Sequence, residues 1–483
     1  MKKDNQKQKK PNAKMTIDEL TALAEQGDAE AQCRLAYYYE KGKGVEKDSV
    51  KGVEWYTKAA EQGHSIAQCN LAACYKLGKG VAKDLVKAVK LYKKSAKQGE
   101  QCAQYNLGAC YYNGYGVKQD YKKALEWFFK AAEQNDPWSQ NDIGICYLNG
   151  YGVEKDLQQA IEWLAKSANQ GYAGAQYNLA LCYWDGEGVE KDVKQAIKWF
   201  TKAANQEHAW SQNNLGLCYE YGDGVRKNDK KAVEWYTKAA EQGVATAQYK
   251  LALHYEIGSG VKEDIVKAFE WYTKAAEQGI AKAQYALATF YDMGEIVNED
   301  PVKAVEWYKK SAKQGFADAQ YNLAICYEEG EGVRKNNVKA VEWYTKAAEQ
   351  GVLLAFNNLG VHYEKGIGVK KDPSKAFEYY KKGAELGDVS AMFSLGLCYQ
   401  YGRCVDEDPK KAVQWYMEAA LKDMSMAQTN LGWCYKEGYG VEKDLIKAAE
   451  WLAKAAKQGD TEAQKDLDDL KHSQEYFNLR YFK

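Results

Sequence analysis

Residues 28–63 read DAEAQCRLAYYYEKGKGVEKDSVKGVEWYTKAAEQG, and the chain repeats this 36-residue pattern along almost its whole length. Gln32 recurs in steps of 36 residues, at positions 68, 104, 140, 176, 212, 248, 284, 320, 428 and 464. Trp55 recurs in the same phase, at positions 127, 163, 199, 235, 271, 307, 343, 415 and 451. Twelve units therefore cover residues 28–459 without an insertion, which excludes a division of the chain into unrelated domains.

The first half of each unit predicts an amphipathic helix. In the first unit Ala31, Leu35, Tyr38 and Tyr39 fall at i, i+4, i+7 and i+8, which places them on one helical face. Gly42 follows the last of these residues and suits the left-handed position just beyond a helix end.

The second half of each unit predicts a second helix. Asp48 is a natural N-cap, because its carboxylate accepts hydrogen bonds from the free backbone N–H groups of a first turn. Val53, Tyr56, Ala59 and Ala60 follow at i, i+3, i+6 and i+7, and the position of Ala60 is Ala in all twelve units. One helical hairpin cannot bury both of its faces, so neighbouring hairpins must stack. The predicted fold is therefore an all-α solenoid.

The composition excludes several classes of protein. The chain has 67 Lys+Arg and 67 Asp+Glu, so zero net charge gives it no general attraction to nucleic acid or anionic membranes. Its 46% hydrophobic residues exclude a disordered chain, yet no apolar run is long enough to cross a bilayer. The Lys-rich start lacks the apolar stretch of a secretion signal. We therefore expect a cytoplasmic protein with no membrane span and no nucleic-acid partner.

The two ends of the chain depart from the repeat. Residues 1–15 are expected to form a disordered, Lys-rich tail, with a nuclear-localisation or nucleic-acid role as the alternative. Residues 16–27 match a second helix in which Glu19 replaces the usual Trp, and this predicts an N-terminal capping helix. Residues 460–483 are predicted to form a C-terminal capping helix and a tail, because a solenoid needs polar ends to stay soluble.

The consensus of the units is A-Q-x-x-L-(A/G)-x-x-Y-x-x-G-x-G-V-x-x-D-x-x-K-A-x-x-W-Y-x-K-A-A-x-Q-G. This pattern resembles the Sel1-like repeat, a relative of the tetratricopeptide repeat. The resemblance implies a right-handed superhelix of about twelve helical hairpins with half-repeat caps. It also implies an adaptor in multi-protein complexes. Some cysteine-rich bacterial relatives are penicillin-binding proteins with a disulfide in each hairpin, which makes a hydrolase of the penicillin-binding or β-lactamase type the alternative function.

The cysteines predict reduced thiols rather than those disulfides. Eight of the twelve occupy one repeat position before the core Tyr: Cys74, Cys110, Cys146, Cys182, Cys218, Cys326, Cys398 and Cys434. Equivalent residues of adjacent units lie too far apart for a disulfide or a shared metal, and the second helices contain no Cys. We therefore expect buried thiols in a reducing compartment. The five His lie in different units, so no metal or cofactor site is predicted.

Catalytic motifs are also weak. The turn glycines join helix to helix, whereas a nucleotide loop joins strand to helix. One Ser-x-x-Lys string, Ser259 to Lys262, occurs at a turn without the companion motifs of β-lactamases. No catalytic residue is predicted.

The first helices carry a candidate partner-binding ladder of amides. By resemblance to tetratricopeptide proteins, these helices line the concave face. Asn recurs next to the core Leu, often after a Tyr, and the candidate residues are Tyr105, Asn106, Tyr177, Asn178, Asn214, Asn322 and Asn358. Amides both donate and accept hydrogen bonds, so they can pair with an extended peptide backbone. The alternative is that each Asn bonds a neighbouring repeat.

Three Trp residues break the repeat on the first helices of units four to six. Trp138, Trp184 and Trp210 stand where other units place polar or small residues. Several apolar side chains on one groove wall are typical of an interface hot spot, and local packing between units is the alternative. The sequence thus predicts a monomeric, non-enzymatic scaffold that binds protein or peptide partners.

Deletion of one internal unit tests the solenoid. Because each unit contacts only its neighbours, a chain without the sixth unit should remain soluble and helical. Deletion of the terminal half-units should instead cause aggregation. Loss of the helical circular dichroism signal after removal of the sixth unit would contradict the solenoid.

Overall fold

The computed structural model describes residues 15–473 and 475–476, and every regular element within them is a helix. Their contacts divide the chain into a unit that ends at Val244 and a unit that begins at Ala245. Predictions for residues 1–14 and 477–483 lie outside the described residues.

The described part of the first unit, from residue 15 to Val244, contains thirteen helices. They are α1 Ile17–Glu25, α2 Ala29–Lys41, α3 Ser49–Glu61, α4 Ser65–Leu77, α5 Leu85–Lys97, α6 Gln101–Asn113, α7 Tyr121–Glu133, α8 Pro137–Asn149, α9 Leu157–Asn169, α10 Ala173–Asp185, α11 Val193–Ala204, α12 Ala209–Tyr221 and α13 Asp229–Glu241. Even-numbered helices are the first helices of the repeats, and odd-numbered helices from α3 onward are the second helices.

The second unit has the same alternation. Its helices are α14 Ala245–Ile257, α15 Ile265–Glu277, α16 Ala281–Met293, α17 Pro301–Lys313, α18 Ala317–Glu329, α19 Asn337–Glu349, α20 Leu353–Lys365, α21 Pro373–Leu386, α22 Val389–Tyr401, α23 Pro409–Leu421, α24 Ser425–Glu437, α25 Leu445–Lys457 and α26 Thr461–His472. In both units the dominant contacts join helices that are adjacent along the chain. The prediction of an all-α repeat stack is confirmed.

The turn inside each hairpin is fixed by the residues that the sequence singled out. Gly42 ends α2 with φ 69°, a left-handed conformation that a residue with a Cβ rarely adopts. The Asp48 carboxylate then accepts from the backbone N–H groups of Val50 and Lys51, both at 3.0 Å. The Asp48 N–H donates back to the carbonyl of Tyr39 at 2.9 Å. The link is therefore bonded to both helices, which sets the geometry of the hairpin.

A buried Gln joins three helices at the centre of most repeats. In α18 the Gln320 Nε2 donates to the Ala312 carbonyl of the preceding second helix at 3.2 Å. Gln350, at the end of α19, donates in turn to Gln320 Oε1 at 2.8 Å. The same two bonds occur at Gln32, Gln68, Gln104, Gln176, Gln212, Gln284 and Gln428. Because the first-helix Gln side chains are buried, each depends on the carbonyl and on the second-helix Gln for its hydrogen bonds.

Two adjacent repeats replace both members of this Gln pair together. Phe356 and Met392 occupy the position of the buried Gln, and Leu386 and Lys422 occupy the position of its partner. Phe356 and Met392 are buried, so packing of apolar surface takes the place of the amide bonds. The joint loss avoids a buried amide without a partner, which would destabilise the fold.

Substitution of Gln320 by Met tests the contribution of the amide bridge. The variant leaves the Ala312 carbonyl and the Gln350 amide without their buried partner, so the free energy of unfolding should fall by roughly 1–3 kcal/mol. Met392→Leu is the matched control at the same repeat position and should lower it by less than about 1.5 kcal/mol. Urea unfolding followed by circular dichroism compares the two. Equal losses of unfolding free energy in the two variants would mean that the hydrogen bonds of Gln320 add nothing to the packing of its side chain.

Candidate partner-binding face

The second and sixth residues of each first helix share one face, because residues four apart are neighbours on a helix surface. We call this surface the first-helix face. In α8 the two positions hold Trp138 and Asp142. In α12 they hold Trp210 and Asn214.

The structure places only two of the three candidate Trp residues on this face. Trp138 and Trp210 are 49% and 50% exposed, and they hold the same repeat position two repeats apart. Trp184 lies near the other end of its helix, α10, and packs against the buried Phe200 with 6.3 Å between ring centroids. Trp184 therefore belongs to the packing between α10 and α11 and is not brought together with the other two.

The same repeat position carries further exposed apolar residues that the sequence analysis missed. Ile66, Leu354 and Met426 are 46%, 52% and 54% exposed, and Cys102 is also exposed. The signal was present in the sequence as one repeat position compared across all units. The prediction began from the Trp residues and included Cys102 among their apolar neighbours, but it did not follow this position to Ile66, Leu354 and Met426.

The Asn side chains of the ladder form hydrogen bonds with other residues of the chain. Asn214 hydrogen-bonds to the Tyr177 hydroxyl of the preceding first helix. The same spacing joins Asn358 to Tyr321. Other members bond elsewhere: Asn322 to the Tyr308 hydroxyl at 3.1 Å, Asn106 to the Cys102 carbonyl at 2.9 Å, and Asn178 to Asn141 at 2.9 Å. The bond of Asn106 to Cys102 lies within one helix, whereas the other bonds join adjacent repeats. A role of these residues in partner binding stays a prediction.

Among the twelve repeats Asp142, in α8, is the one carboxylate at this ladder position, and seven other repeats carry Asn. Its Oδ1 accepts from Asn141 Nδ2 at 2.9 Å, and the Tyr105 hydroxyl also bonds to it. Burial disfavours the charged form and raises the pKa of Asp142 to about 6, and the nearby Asp136 adds to the rise. Both hydrogen-bond donors are uncharged, so they hold the carboxylate in place but do not neutralise its negative charge.

Aromatic rings surround Trp138 on both sides. Its ring centroid lies 6.2 Å from that of Tyr105, in the preceding repeat, and 6.0 Å from that of Tyr172, which precedes α10. Gly174 allows this arrangement, since a Cβ there would lie 2.9 Å from the Tyr172 ring. Trp138 is therefore held in place from both neighbouring repeats although half of it is exposed.

One thiol on this face has a neighbour that the sequence analysis did not consider. Cys102 hydrogen-bonds with the buried Cys69 of the preceding repeat, and this bond is the main reason that the pKa of Cys102 falls to about 7. Cys69 and Cys102 occupy different repeat positions, so equivalent positions of adjacent units do not bring them together. All twelve cysteines are free in the structure.

The remaining candidate motifs concern catalysis, metal binding and membrane insertion. Ser259 and Lys262 lie in the turn between α14 and α15. Among the described residues no cluster of three His, Cys, Asp or Glu has the arrangement of a metal site. Within the same residues no helix is long and apolar enough to span a membrane.

Comparison with protein families gives twelve consecutive matches to the Sel1 repeat. They cover residues 29–64, 65–100, 103–136, 139–172, 173–208, 211–244, 245–280, 281–316, 317–352, 355–388, 389–424 and 425–460. The chain belongs to the Sel1 repeat family. Proteins of this family generally act as protein-interaction scaffolds without enzymatic activity.

Two solved structures are similar to this chain. A protective antigen of uropathogenic Escherichia coli strains, which displays an SLR fold, has 37% identity and a TM-score of 0.76. That match covers 88% of this chain and 92% of the antigen. A Sel1 repeat protein from Oxalobacter formigenes has 32% identity and a TM-score of 0.46, over 66% of this chain and 91% of its own. None of the curated proteins compared with the chain matches it.

Asp142→Asn tests the buried carboxylate. Because the pKa of Asp142 is raised on folding, its stabilising contribution is present only at low pH and is lost as pH rises through about 6. The variant should therefore be more stable than the wild type at pH 8, by roughly 1 kcal/mol after allowance for partial solvent exposure, and no more stable near pH 4.

The matched control is Asp185→Asn, at the exposed end of α10, which should change the unfolding midpoint little at either pH. Urea unfolding at both pH values provides the measurement. A gain for Asp142→Asn that is equal at pH 8 and pH 4 would rule out ionisation as its cause.

Proposed function

We propose that this chain is a non-enzymatic scaffold that binds protein or peptide partners on its first-helix face. The observation that carries the proposal is the pair of half-exposed Trp side chains, Trp138 and Trp210, at one position of that face. Trp is enriched among residues that dominate binding energy, because one ring removes a large apolar area from water. The scaffold role general to the Sel1 repeat family supports the same function.

The amides and tyrosines of the ladder would supply the polar contacts of this site. An Asn amide has two N–H donors and an oxygen with two lone pairs, so a bond to a neighbouring repeat does not exhaust it. Asn106, Asn178, Asn214, Asn322 and Asn358, with Tyr105 and Tyr177, would then bond the backbone of an extended peptide. In this proposal the Trp side chains supply most of the affinity and the amides set the direction of the peptide.

The remaining features of the proposal concern the state of the protein. We place the scaffold in the cytoplasm as a monomer, without a nucleic-acid partner. Ten of its twelve thiols are buried and all are unpaired, which suits a reducing compartment. Its zero net charge suits binding by shape and apolar contact more than by long-range attraction.

Selection of peptides followed by substitution of the two Trp residues tests this function. A random twelve-residue phage library is panned on the full chain, and selected peptides are measured by fluorescence anisotropy. Trp138→Thr and Trp210→Thr introduce the residue that Thr246 provides at the same position, so folding should be kept. Each should weaken binding by at least about tenfold, since loss of a hot-spot residue costs about 2 kcal/mol.

Val50→Thr is the control, because Val50 is 57% exposed at the second residue of a second helix, α3. Binding should be unchanged in this variant. Peptides that lose affinity with Val50→Thr but not with the Trp variants would place the binding face on the second helices. Failure of the full chain to select any peptide would overturn the proposed function.

A further inference from the structure

We infer that Tyr105, Trp138, Asp142 and Tyr172 form a recognition site for a cationic side chain of the bound peptide, with Arg preferred to Lys. The inference rests on the proposed function and adds the chemistry of one anchor position in the ligand. We call these four residues the α8 site.

The indole ring of Trp138 provides the apolar wall of the α8 site. The rings of Tyr105 and Tyr172 contact it from the two adjacent repeats, and half of its surface still faces solvent. A cation that approaches within about 6 Å of an indole face is attracted by the ring electrons. Because Trp138 is already held in place, a ligand would lose little free energy in ordering it.

Other Trp rings of this chain already carry a cation of their own. On most second helices a Lys three residues after the Trp lies over its ring, as with Lys58 over Trp55 at 3.9 Å and Lys202 over Trp199 at 3.9 Å. The residue three positions after Trp138 is Asn141, and no Lys or Arg of the described chain is placed over the Trp138 ring. The α8 site thus has the aromatic ring of a cation–π interaction but no cation of the described chain over it, whereas the second-helix Trp rings named above have a Lys of the chain.

The carboxylate of Asp142 provides the charged wall. It lies one helical turn after Trp138 on the same face of α8, and its orientation is fixed by bonds from Asn141 and Tyr105. A planar guanidinium can stack on an indole and donate two parallel hydrogen bonds to a carboxylate, whereas an ammonium group does not stack. This difference is the reason that Arg is preferred.

Among the residues that the structure describes, no positive charge is placed against Asp142. The groups that influence it or are influenced by it are Tyr105 and Tyr112 from α6, Asp136, Asn141 and Cys146 from the α8 segment, and Tyr172 ahead of α10. All of these are neutral or acidic. Burial raises the pKa of Asp142 to about 6, so the carboxylate is mostly ionised at pH 7.5 but poorly solvated. A ligand cation would restore the favourable interactions that burial removed.

The Trp210 position provides an internal comparison. It has the same exposed ring, but its sixth-position partner is Asn214 rather than a carboxylate. Val244 and His208 also stand at α12 where the α8 site has Tyr172 and Asp136. Asp142→Asn therefore removes the charged group alone and gives the α8 site the amide that α12 carries at this position. Because seven other repeats carry Asn at this position, the variant is compatible with the fold.

The experiment pans a random twelve-residue phage library at pH 7.5 on the full chain and on Asp142→Asn. The wild type should select peptides that share an Arg at one aligned position. Synthetic copies of one such peptide with Arg, Lys or Gln at that position are then measured against both proteins. For the wild type, Gln should weaken binding by at least about tenfold, and Lys should lie between Arg and Gln. For Asp142→Asn the three peptides should bind within about threefold of each other.

A pH series adds a second readout. Between pH 7.5 and pH 5 the affinity of the wild type for the Arg peptide should fall about tenfold, because about a tenth of a carboxyl with a pKa near 6 is ionised at pH 5. Asp142→Asn should lack this change. Asp185→Asn is the matched control for charge and should retain the behaviour of the wild type in both measurements.

The outcomes separate this inference from the proposed function. Peptides that depend on Trp138 but show no Arg or Lys preference, and bind Asp142→Asn as they bind the wild type, would overturn the α8 site and leave the scaffold intact. A chain that selects no peptide at all would overturn both. A dimer in sedimentation that dissociates on Asp142→Asn would assign the site to a second copy of the chain and overturn its assignment to a peptide.

Discussion

The buried Gln of the first helix is the interaction on which the stacking of repeats depends. Its amide donates to a carbonyl of the preceding second helix, and its oxygen accepts from the Gln that ends its own second helix, as at Gln320. Apolar packing alone is non-directional, whereas these bonds fix both distance and angle between three helices. The remaining recurrent residues, such as the fully buried Tyr344 and Ala324, fill the space that this bridge defines.

A regular scaffold makes its irregular residues informative. The Gln bridge, the helix caps and the core tyrosines explain most of the recurrent positions. A residue that departs from the repeat is therefore not needed for the contacts that all units share. Trp138 and Asp142 are of this kind: one exposes an aromatic ring and the other places a charge where most repeats carry an amide. Function is most easily sought where the repeat is least consistent.

Most of the fold could be predicted from the sequence, and the candidate site only in part. Gly42, Asp48 and the periodic apolar positions act through local backbone chemistry, so one unit sufficed to predict the hairpin. Contacts between repeats were harder, because they join residues at different repeat positions. The hydrogen bond between Cys69 and Cys102 could not be predicted from the sequence of either helix alone. Trp184 shares a residue type with Trp138, but its place near the end of α10 packs it, partly buried, against Phe200.

The replacement of the Gln pair in two adjacent repeats has a mechanical consequence. At Phe356 and Met392 the amide bridge gives way to apolar contact, which keeps its strength when the surfaces slide or tilt by a small amount. Every bridged junction loses bond geometry under the same displacement. At these two positions the apolar side chains therefore set how closely the helices approach, and the orientation of the repeats is left to other bonds, such as that from Ser394 Oγ to Asn357 Oδ1 at 2.8 Å.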